Sequence, residues 1–272
     1  TVYCVPGNAR RVLKIADGGG MSYVEPRAEL VADFARQFKW LRGVCVDEWV
    51  YCIPSWADKI LCIREDDTLE LKSVEYHDAR CMRDGTPWKW HGGVVTKHKH
   101  VIGVPCGTNC VLKIDYETKQ VRTFGDCDLI SSDVCKWYGG ILGEDDCVYC
   151  MPQNADCVLK ICPNTEQVWR ITGDSPEHQF KPNRWSWHGG CISPKDGCIY
   201  AFPNHEDRVL RVEPTANGGA GRLTLFGGPS AIPAPKHRPD GKYKYFGGVA
   251  HPVTGAIYCV PGDADHVMKI VP

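Results

Sequence analysis

The sequence has no long apolar run and no excess of charge of either sign. No stretch approaches the roughly 18 apolar residues of a membrane-spanning helix, so no membrane span is predicted. There are 32 lysines and arginines against 33 aspartates and glutamates, which gives a formal net charge of -1. Without a basic surplus, nucleic-acid binding is disfavoured. The chain starts at Thr1 without a charged and then apolar leader, so we expect any targeting segment to be absent from this sequence.

What the chain does have is a repeat. Six short apolar segments end in the same way, in a Tyr-x-x-Pro pattern or a close variant, about 50 residues apart. The six prolines are Pro6, Pro54, Pro105, Pro152, Pro203 and Pro261. Self-similarity at this period indicates one supersecondary unit per repeat, and it predicts a single domain over residues 1–272.

Each full repeat carries four strand-like segments. The first is an aromatic-Lys-aromatic-x-Gly-Gly motif such as Trp88–Val94, and the second ends at the proline. The third is an apolar segment such as Val111–Ile114, and the fourth is shorter, as in Val121–Gly125. Four antiparallel strands every 50 residues are typical of a β-propeller blade. The sequence therefore predicts an all-β, six-bladed β-propeller of four-stranded antiparallel blades.

The first and last blades are predicted to be incomplete. The chain supplies strands two to four, four full blades and then strands one to three, which is two strands fewer than 24. We expect an N-terminal hairpin to be missing, or closure to be imperfect. Residues 26–37 interrupt the strands with apolar residues at helical spacing, and residues 229–240 form a proline-rich surface loop.

The 16 cysteines do not have the arrangement of a disulfide framework. Several share a slot in the repeat, and equivalent slots of different blades lie too far apart for a disulfide. We interpret them as small apolar core residues, and unpaired thiols favour a reducing compartment such as the cytoplasm or an organelle interior. Cys147-x-x-Cys150 falls within a strand and Cys106-x-x-x-Cys110 spans a turn, so neither spacing predicts a zinc site.

The repeat unit resembles the NHL, SMP30-like and streptogramin-lyase-like group of propellers. The motifs that carry the resemblance are, in order, aromatic-x-Gly-Gly, Tyr-x-x-Pro, Val-Leu-Lys-Ile-Asp, Thr and Phe-Gly. It is most similar to repeat propellers of algae and other protists. The resemblance covers nearly the whole chain. It implies a fold that hosts lactonases, lyases, lectin-like binders and scaffolds, so the resemblance alone does not select a function.

The main candidate for a binding site is the mouth of the predicted axial channel. Lysines recur in one slot of the first strand, and two histidines and a tyrosine recur two residues further on, which would place both sets on one strand face. The candidate ligand-binding residues are Lys39, Lys89, His91, Lys136, Tyr138, His188 and Lys244. They could hold a phosphate, uronate or carboxylate. The alternative is that the lysine stems cover aromatic rings between blades and the histidines bond backbone carbonyls.

The sequence offers two further kinds of candidate site. An aspartate or asparagine recurs four residues after the proline, as in Asp58 and Asp207, where it would fix a hairpin or line shallow sugar sites. SMP30-like chemistry implies carboxylates around a divalent cation, but the first strands share no acidic slot, so no metal is predicted. Streptogramin-lyase-like chemistry implies a histidine with an acidic partner, and His91 or His188 could serve, although no acidic motif matches.

The leading interpretation of the sequence is a non-catalytic interaction propeller, an accessory subunit of a larger protein assembly. A lectin-like or anion-binding propeller that uses the channel mouth is the first alternative, and a hydrolase or lyase is the second. Other protein subunits are the expected partners, with a glycan or small anion as the alternative. No cofactor and no catalytic residue are predicted. The connections 75–84 and 229–242 are the expected partner contacts.

Overall fold

The computed structural model describes residues 1–82, 87–130, 135–182, 184–215, 219 and 221–272. Within these residues, 22 short strands form six antiparallel sheets. The chain divides into two compact units, residues 1–132 and 133–272, and each unit contributes three sheets. None of the helices in the described part of the chain is long and apolar enough to cross a membrane.

The first unit contains sheets of three, four and four strands, which pair in chain order. The strands are β1 (Val2–Cys4), β2 (Val12–Ile15), β3 (Met21–Val24), β4 (Trp40–Val46), β5 (Trp49–Pro54), β6 (Lys59–Arg64), β7 (Leu69–Ser73), β8 (Trp90–Val95), β9 (Val101–Pro105), β10 (Val111–Ile114) and β11 (Val121–Phe124). The helices are the 3₁₀ turns Ala28–Leu30 and Ala79–Cys81 and the one-turn helices α1 (Val31–Phe34) and α2 (Cys127–Ile130).

The second unit contains sheets of four, four and three strands with the same order. The strands are β12 (Trp137–Leu142), β13 (Val148–Pro152), β14 (Val158–Cys162), β15 (Gln167–Ile171), β16 (Trp187–Ile192), β17 (Ile199–Pro203), β18 (Arg208–Glu213), β19 (Arg222–Gly227), β20 (Tyr245–Ala250), β21 (Ile257–Pro261) and β22 (Met268–Ile270). One 3₁₀ turn, Pro176–His178, lies between β15 and β16.

The predicted blades are confirmed as sheets. Each Tyr-x-x-Pro segment forms a strand, and each Val-Leu-Lys-Ile segment pairs with it in antiparallel register. The prolines fall at the last residue of β5, β9, β13, β17 and β21, where no further ladder hydrogen bond is needed. The first and last sheets have three strands each, as the count of repeats predicted.

A tryptophan at the start of the inner strand anchors four of the six sheets. The indole rings are fully buried, and each Nε1–H donates to the main-chain carbonyl at the start of the third strand of its own sheet, over 2.8–2.9 Å. A buried indole needs such a partner, which explains why the position repeats. The four residues are Trp40, Trp90, Trp137 and Trp187.

The sixteen cysteines, all of them in the described residues, form no disulfide. Most are buried, and several lie in the packed layers between adjacent sheets of one unit. Burial raises the pKa of the Cys62 thiol to about 12, so this thiol stays protonated and unreactive at neutral pH. The predicted helical segment between the first two sheets is also confirmed, because α1 places Phe34 against Trp40 with ring centroids 5.2 Å apart.

Candidate functional site: an aromatic row on bulged inner strands

The inner strands share a local irregularity that decides where their side chains point. The residue two positions before the first residue of each inner strand is left-handed, with φ of 51° at Trp185 and 57° at Tyr243. The register then shifts between Trp187 and Gly190, and Gly189 has a φ of 67°. A bulge of this kind re-aims the side chain that lies within it. Here that side chain is His188.

The inner strands are not regular over the predicted lysine and histidine slots. The lysines lie immediately before the inner strands rather than within them, and the bulge follows directly, so the two-residue period does not apply. All four lysines of the predicted set are buried: Lys39, Lys89, Lys136 and Lys244.

Lys39 shows what the buried ammonium does. Its Nζ donates to three main-chain carbonyls, those of Gly7 at 3.0 Å, Ala9 at 3.0 Å and Arg36 at 2.8 Å. It also lies 5.8 Å from the centre of the Trp40 ring. Burial lowers the pKa of Lys39. This geometry matches the alternative in which the lysine packs against an aromatic ring.

Two other lysines are held in the same way. Lys89 Nζ donates to the Ala57 carbonyl at 2.9 Å and to Asp58 Oδ1 at 2.8 Å, and Lys244 Nζ donates to the Gly241 carbonyl at 2.5 Å. Burial lowers the pKa of Lys244 as well. Ligand binding by the predicted set stays a prediction, but these contacts favour its histidines and tyrosine over its lysines.

In the second unit, the bulged side chains of three consecutive inner strands touch one another. The rings of Tyr138 and His188 are 4.2 Å apart, and those of His188 and Phe246 are 5.1 Å apart and nearly perpendicular. His188 is half-buried and Phe246 is 45% exposed. In the first unit, the corresponding His91 is buried. The sequence analysis placed His188 and Tyr138 in the same slot of successive repeats, and the structure brings their rings into contact.

The ring contacts continue beyond the strands. Tyr243 stacks against Phe246 at 6.2 Å and meets His205 edge-on at 4.7 Å, and His205 stacks against Trp185 at 6.3 Å. Trp185 is 41% exposed. We call the set Tyr138, His188, Phe246, Tyr243, His205 and Trp185 the aromatic row.

Four members of the row, Phe246, Tyr243, His205 and Trp185, were not among the predicted ligand-binding residues. Sequence reasoning treated recurring aromatic residues as core, and it did not consider His205, which lies two residues after a repeat proline. The available sequence signal was the aromatic residue that directly precedes the buried lysine or serine, a position whose backbone is left-handed in the structure. In the first unit the same two slots give a cluster of Phe38, Trp56 and Trp88, with centroids 5.3–5.8 Å apart.

His205 is a neutral imidazole at physiological pH. Burial, and secondarily the charge of Lys242, lowers the pKa of His205 to about 4. Its Nε2 atom is buried and has no hydrogen-bond partner among the described residues. An imidazole in this state is a weak base, but its unpartnered nitrogen can accept a hydrogen bond.

A cavity of about 400 Å³ lies beside His205 and is bounded on one side by the proline-rich loop. Glu206 is buried in its wall and is flanked by Arg208 at 3.5 Å and Arg184 at 3.8 Å. Asp207 and Asp240 also line the cavity. The predicted loop 229–242 is thus part of this wall, whereas residues 83 and 84 of the other predicted loop lie outside the described residues.

The other large cavity of the second unit, about 520 Å³, is less suited to ligand chemistry. Its carboxylates are already engaged: Asp145 accepts from Lys160 at 2.9 Å, and Asp196 accepts from Tyr200 at 2.7 Å. One of the aspartates after the prolines is engaged too. Asp58 pairs with Lys89 of the next sheet rather than fixing its own hairpin, which corrects the role that the sequence suggested.

Comparisons with known proteins agree with the fold. No protein-family model and no curated protein matches the sequence. Two solved structures similar to this chain are a catalytically inactive histidine-to-alanine variant of virginiamycin B lyase from Staphylococcus aureus with quinupristin, and a streptogramin B lyase. The match to the first has a TM-score of 0.64 at 11% sequence identity and covers 97% of this chain and 78% of the other. The match to the second has a TM-score of 0.63 at 12% identity and covers 99% of this chain and 75% of the other.

A third is a putative 6-phosphogluconolactonase from Bacteroides uniformis, with a TM-score of 0.56 at 12% identity over 95% of this chain and 72% of the other. The fold is a six-bladed β-propeller. The resemblance to the streptogramin-lyase-like group that the motifs suggested is therefore confirmed at the level of the fold. At these identities, the chemistry has to be argued from the propeller's own residues.

Proposed function

We propose that this propeller is a ligand-binding enzyme of the lyase or hydrolase class, with His188 as its general base and the aromatic row as its substrate platform. The observation that carries the proposal is the contact of a half-buried imidazole with Tyr138 on one side and Phe246 on the other. A base has to lie within reach of the substrate proton, and flanking rings can hold a ring-containing substrate against it.

The likeness to solved structures supports this alternative over the non-catalytic scaffold. A histidine-to-alanine change inactivates the virginiamycin B lyase variant, so at least one propeller of similar fold depends on a histidine. This chain places a histidine in the bulged slot of an inner strand and a second, neutral one at the end of the row. The five inner strands, all of them described, contain no aspartate or glutamate, so an acidic partner would have to come from a loop such as 206–207 or 240.

The proposal is tested by turnover of quinupristin and of gluconolactone, followed by mass spectrometry of the products. Wild-type protein should convert at least one substrate, and His188→Ala should lower kcat/KM by about 10²- to 10⁴-fold, the usual contribution of a general base. Phe246→Ala should mainly raise KM. His266→Ala is the matched control, because His266 is exposed in the same unit and outside the row. Absence of turnover of both substrates, or equal rates for His188→Ala and wild type, would contradict the proposal.

A binding function without catalysis is the second candidate, favoured by the exposed faces of Trp185 and Phe246. Exposed aromatic faces stack on apolar faces of ring-shaped ligands such as sugars. A glycan array separates the two functions. Glycan binding that is lost in Trp185→Ala and kept in His188→Ala would support a lectin-like role, whereas no binding to any glycan would contradict it.

A further inference from the structure

The connection between β7 and β8 in the first unit does not pass directly from one sheet to the next. It runs along β11, the outer strand of the neighbouring sheet. Glu75 N donates to the Val121 carbonyl at 2.9 Å, Thr123 N donates to the Glu75 carbonyl at 2.9 Å, and His77 N donates to Thr123 Oγ1 at 3.0 Å. These bonds fix the backbone of His77 against the third sheet.

Two devices then hold the next residues in place. Asp78 caps the 3₁₀ turn Ala79–Cys81, since its side chain accepts from Arg80 N at 2.8 Å. Arg80 also donates to Asp128 at 2.8 Å, and Asp128 follows Cys127 in α2. The turn and the helix are therefore tied together, and Cys81 and Cys127 face each other.

The result is a cluster of soft ligand atoms. Cys81 Sγ lies 3.4 Å from His77 Nδ1 and 3.8 Å from Cys127 Sγ, and all three ligand atoms are within 4.8 Å of one another. Cys110 is also buried, and the N–H of its neighbour Asn109 donates to the Cys81 carbonyl at 3.0 Å, but Cys110 Sγ does not belong to the group of three ligand atoms within 4.8 Å of one another. The three thiols are at most 3% exposed, and His77 closes the cluster on the solvent side.

The two separations from Cys81 match those of a tetrahedral zinc site, whereas Cys127 Sγ lies 4.0 Å from Nε2 of His77 and would have to move closer to Nδ1. With zinc–sulfur bonds of about 2.3 Å and zinc–nitrogen bonds of about 2.0 Å, two sulfur ligands lie about 3.8 Å apart and a sulfur and a nitrogen about 3.5 Å apart. Thiolate and imidazole ligands also favour zinc over magnesium or calcium. The imidazole is already oriented, because Nε2 lies 2.9 Å from the Gly125 carbonyl. Donation from Nε2–H to that carbonyl leaves the lone pair on Nδ1, which lies 3.4 Å from Cys81 Sγ and 2.9 Å from Thr123 Oγ1. A zinc ion would therefore replace the contact with the Thr123 hydroxyl.

The second unit provides an internal comparison. There, the corresponding connection carries His178, whose Nδ1 accepts from Leu225 N at 3.1 Å. The positions that correspond to Cys110 and Cys127 are Arg208 and Pro229. Cys81 and Cys127 occupy none of the recurring slots of the repeat. Both are buried in the core layer of the first unit, but the repeat itself does not require a cysteine at either position.

We propose that the clustered residues His77, Cys81 and Cys127 bind one zinc ion, with the buried thiol of Cys110 moving in as the fourth ligand, and that this ion fastens the β7–β8 connection to the third sheet. Three thiolates and one imidazole form a closed ligand set with no position for a substrate, which indicates a structural role. The sequence analysis predicted no metal because Cys106 and Cys110 lacked a partner pair. The partners come from a connection between sheets, with a spacing, His-x-x-x-Cys, that was not examined as a ligand pair.

The test uses the full chain with zinc and cobalt ions as probes. Reduced wild-type protein should hold one zinc per chain by mass spectrometry, give the charge-transfer and ligand-field bands of tetrahedral thiolate-bound cobalt, and melt at a lower temperature after chelation. Cys81→Ser with Cys127→Ser should abolish all three signals. Cys45→Ser is the matched control, because Cys45 is exposed in the same unit and outside the cluster.

His77→Ala keeps the test decisive if the double serine variant does not fold. His77 is exposed, so its removal should leave the core intact and lower zinc affinity at least about tenfold. Wild-type protein without zinc or a cobalt spectrum would overturn the proposal. A Cys81–Cys127 disulfide that forms in place of metal binding would also overturn it. Neither outcome bears on the turnover assays at His188.

Discussion

The replacement Lys39→Met distinguishes a structural lysine from a ligand-binding one. Methionine has nearly the same length and shape as the lysine stem, but it removes the ammonium that donates to the carbonyls of Gly7, Ala9 and Arg36. The lysine side chain is fully buried, so no bulk water replaces the lost donors. We therefore expect the replacement to act on folding stability rather than on binding.

The expected magnitude follows from those three contacts. A buried polar group that loses its partner costs about 1–3 kcal/mol. We take the lower end for each carbonyl, because methionine also relieves the desolvation of a buried charge. The free energy of unfolding should fall by about 3 kcal/mol.

Urea unfolding followed by tryptophan fluorescence measures this change, since the chain has nine tryptophans. Lys72→Met is the control, because Lys72 is partly exposed on β7, and its replacement should change the free energy by less than about 0.5 kcal/mol. A Lys39→Met protein as stable as wild type would refute the structural role. Loss of anion binding together with unchanged stability would restore the channel-mouth interpretation.

Two other predictions concern single side chains of the second unit. Trp187→Phe should lower the free energy of unfolding by about 2–3 kcal/mol, because the Arg208 carbonyl loses its donor at 2.9 Å and a void replaces part of the indole. The control Trp169→Phe, at a half-buried outer position, should lower it by less than about 1 kcal/mol. Equal losses of stability in the two variants would argue against an anchoring role for Trp187. The second is a pH dependence. The pKa of His205 is about 4 in the folded protein against 6.5 for an ordinary histidine, so the unfolded chain binds the proton more readily between these values, and stability should fall as the pH drops from 6.5 to 4. His205→Gln should lose less stability over that range in urea titrations, and parallel pH profiles would contradict the prediction.

The fold could be predicted from the sequence because its signals are local and repeated. A proline that cannot donate marks the end of each second strand, and the four-residue apolar segment that follows can only form a strand between packed sheets. Because the pattern occurs six times, the predicted fold does not depend on assigning the strands of any one repeat correctly. The strand count of the first and last sheets followed from the same pattern.

The site could be predicted only in part, because its geometry depends on a backbone irregularity. Period-two alternation placed Lys89 and His91 on one face, but the left-handed Trp88 and the following bulge separate them. His205 was missed because it becomes significant only where two loops bring it against Trp185 and Tyr243. Contacts of this kind are set by tertiary packing, which a one-dimensional pattern does not record.

Variation within a slot is a better guide to function in this chain than recurrence. The tryptophan slot hardly varies, because each indole must fill the same space and reach the same carbonyl. The bulged slot next to it holds leucine, histidine, tyrosine, histidine and phenylalanine in successive blades, so blade packing does not fix its chemistry. Cys81 and Cys127 have no slot at all. When a repeat uses one residue type for packing, its variable and unrepeated positions are available for ligand binding. His188 lies at a variable position, and Cys81 and Cys127 lie at unrepeated ones.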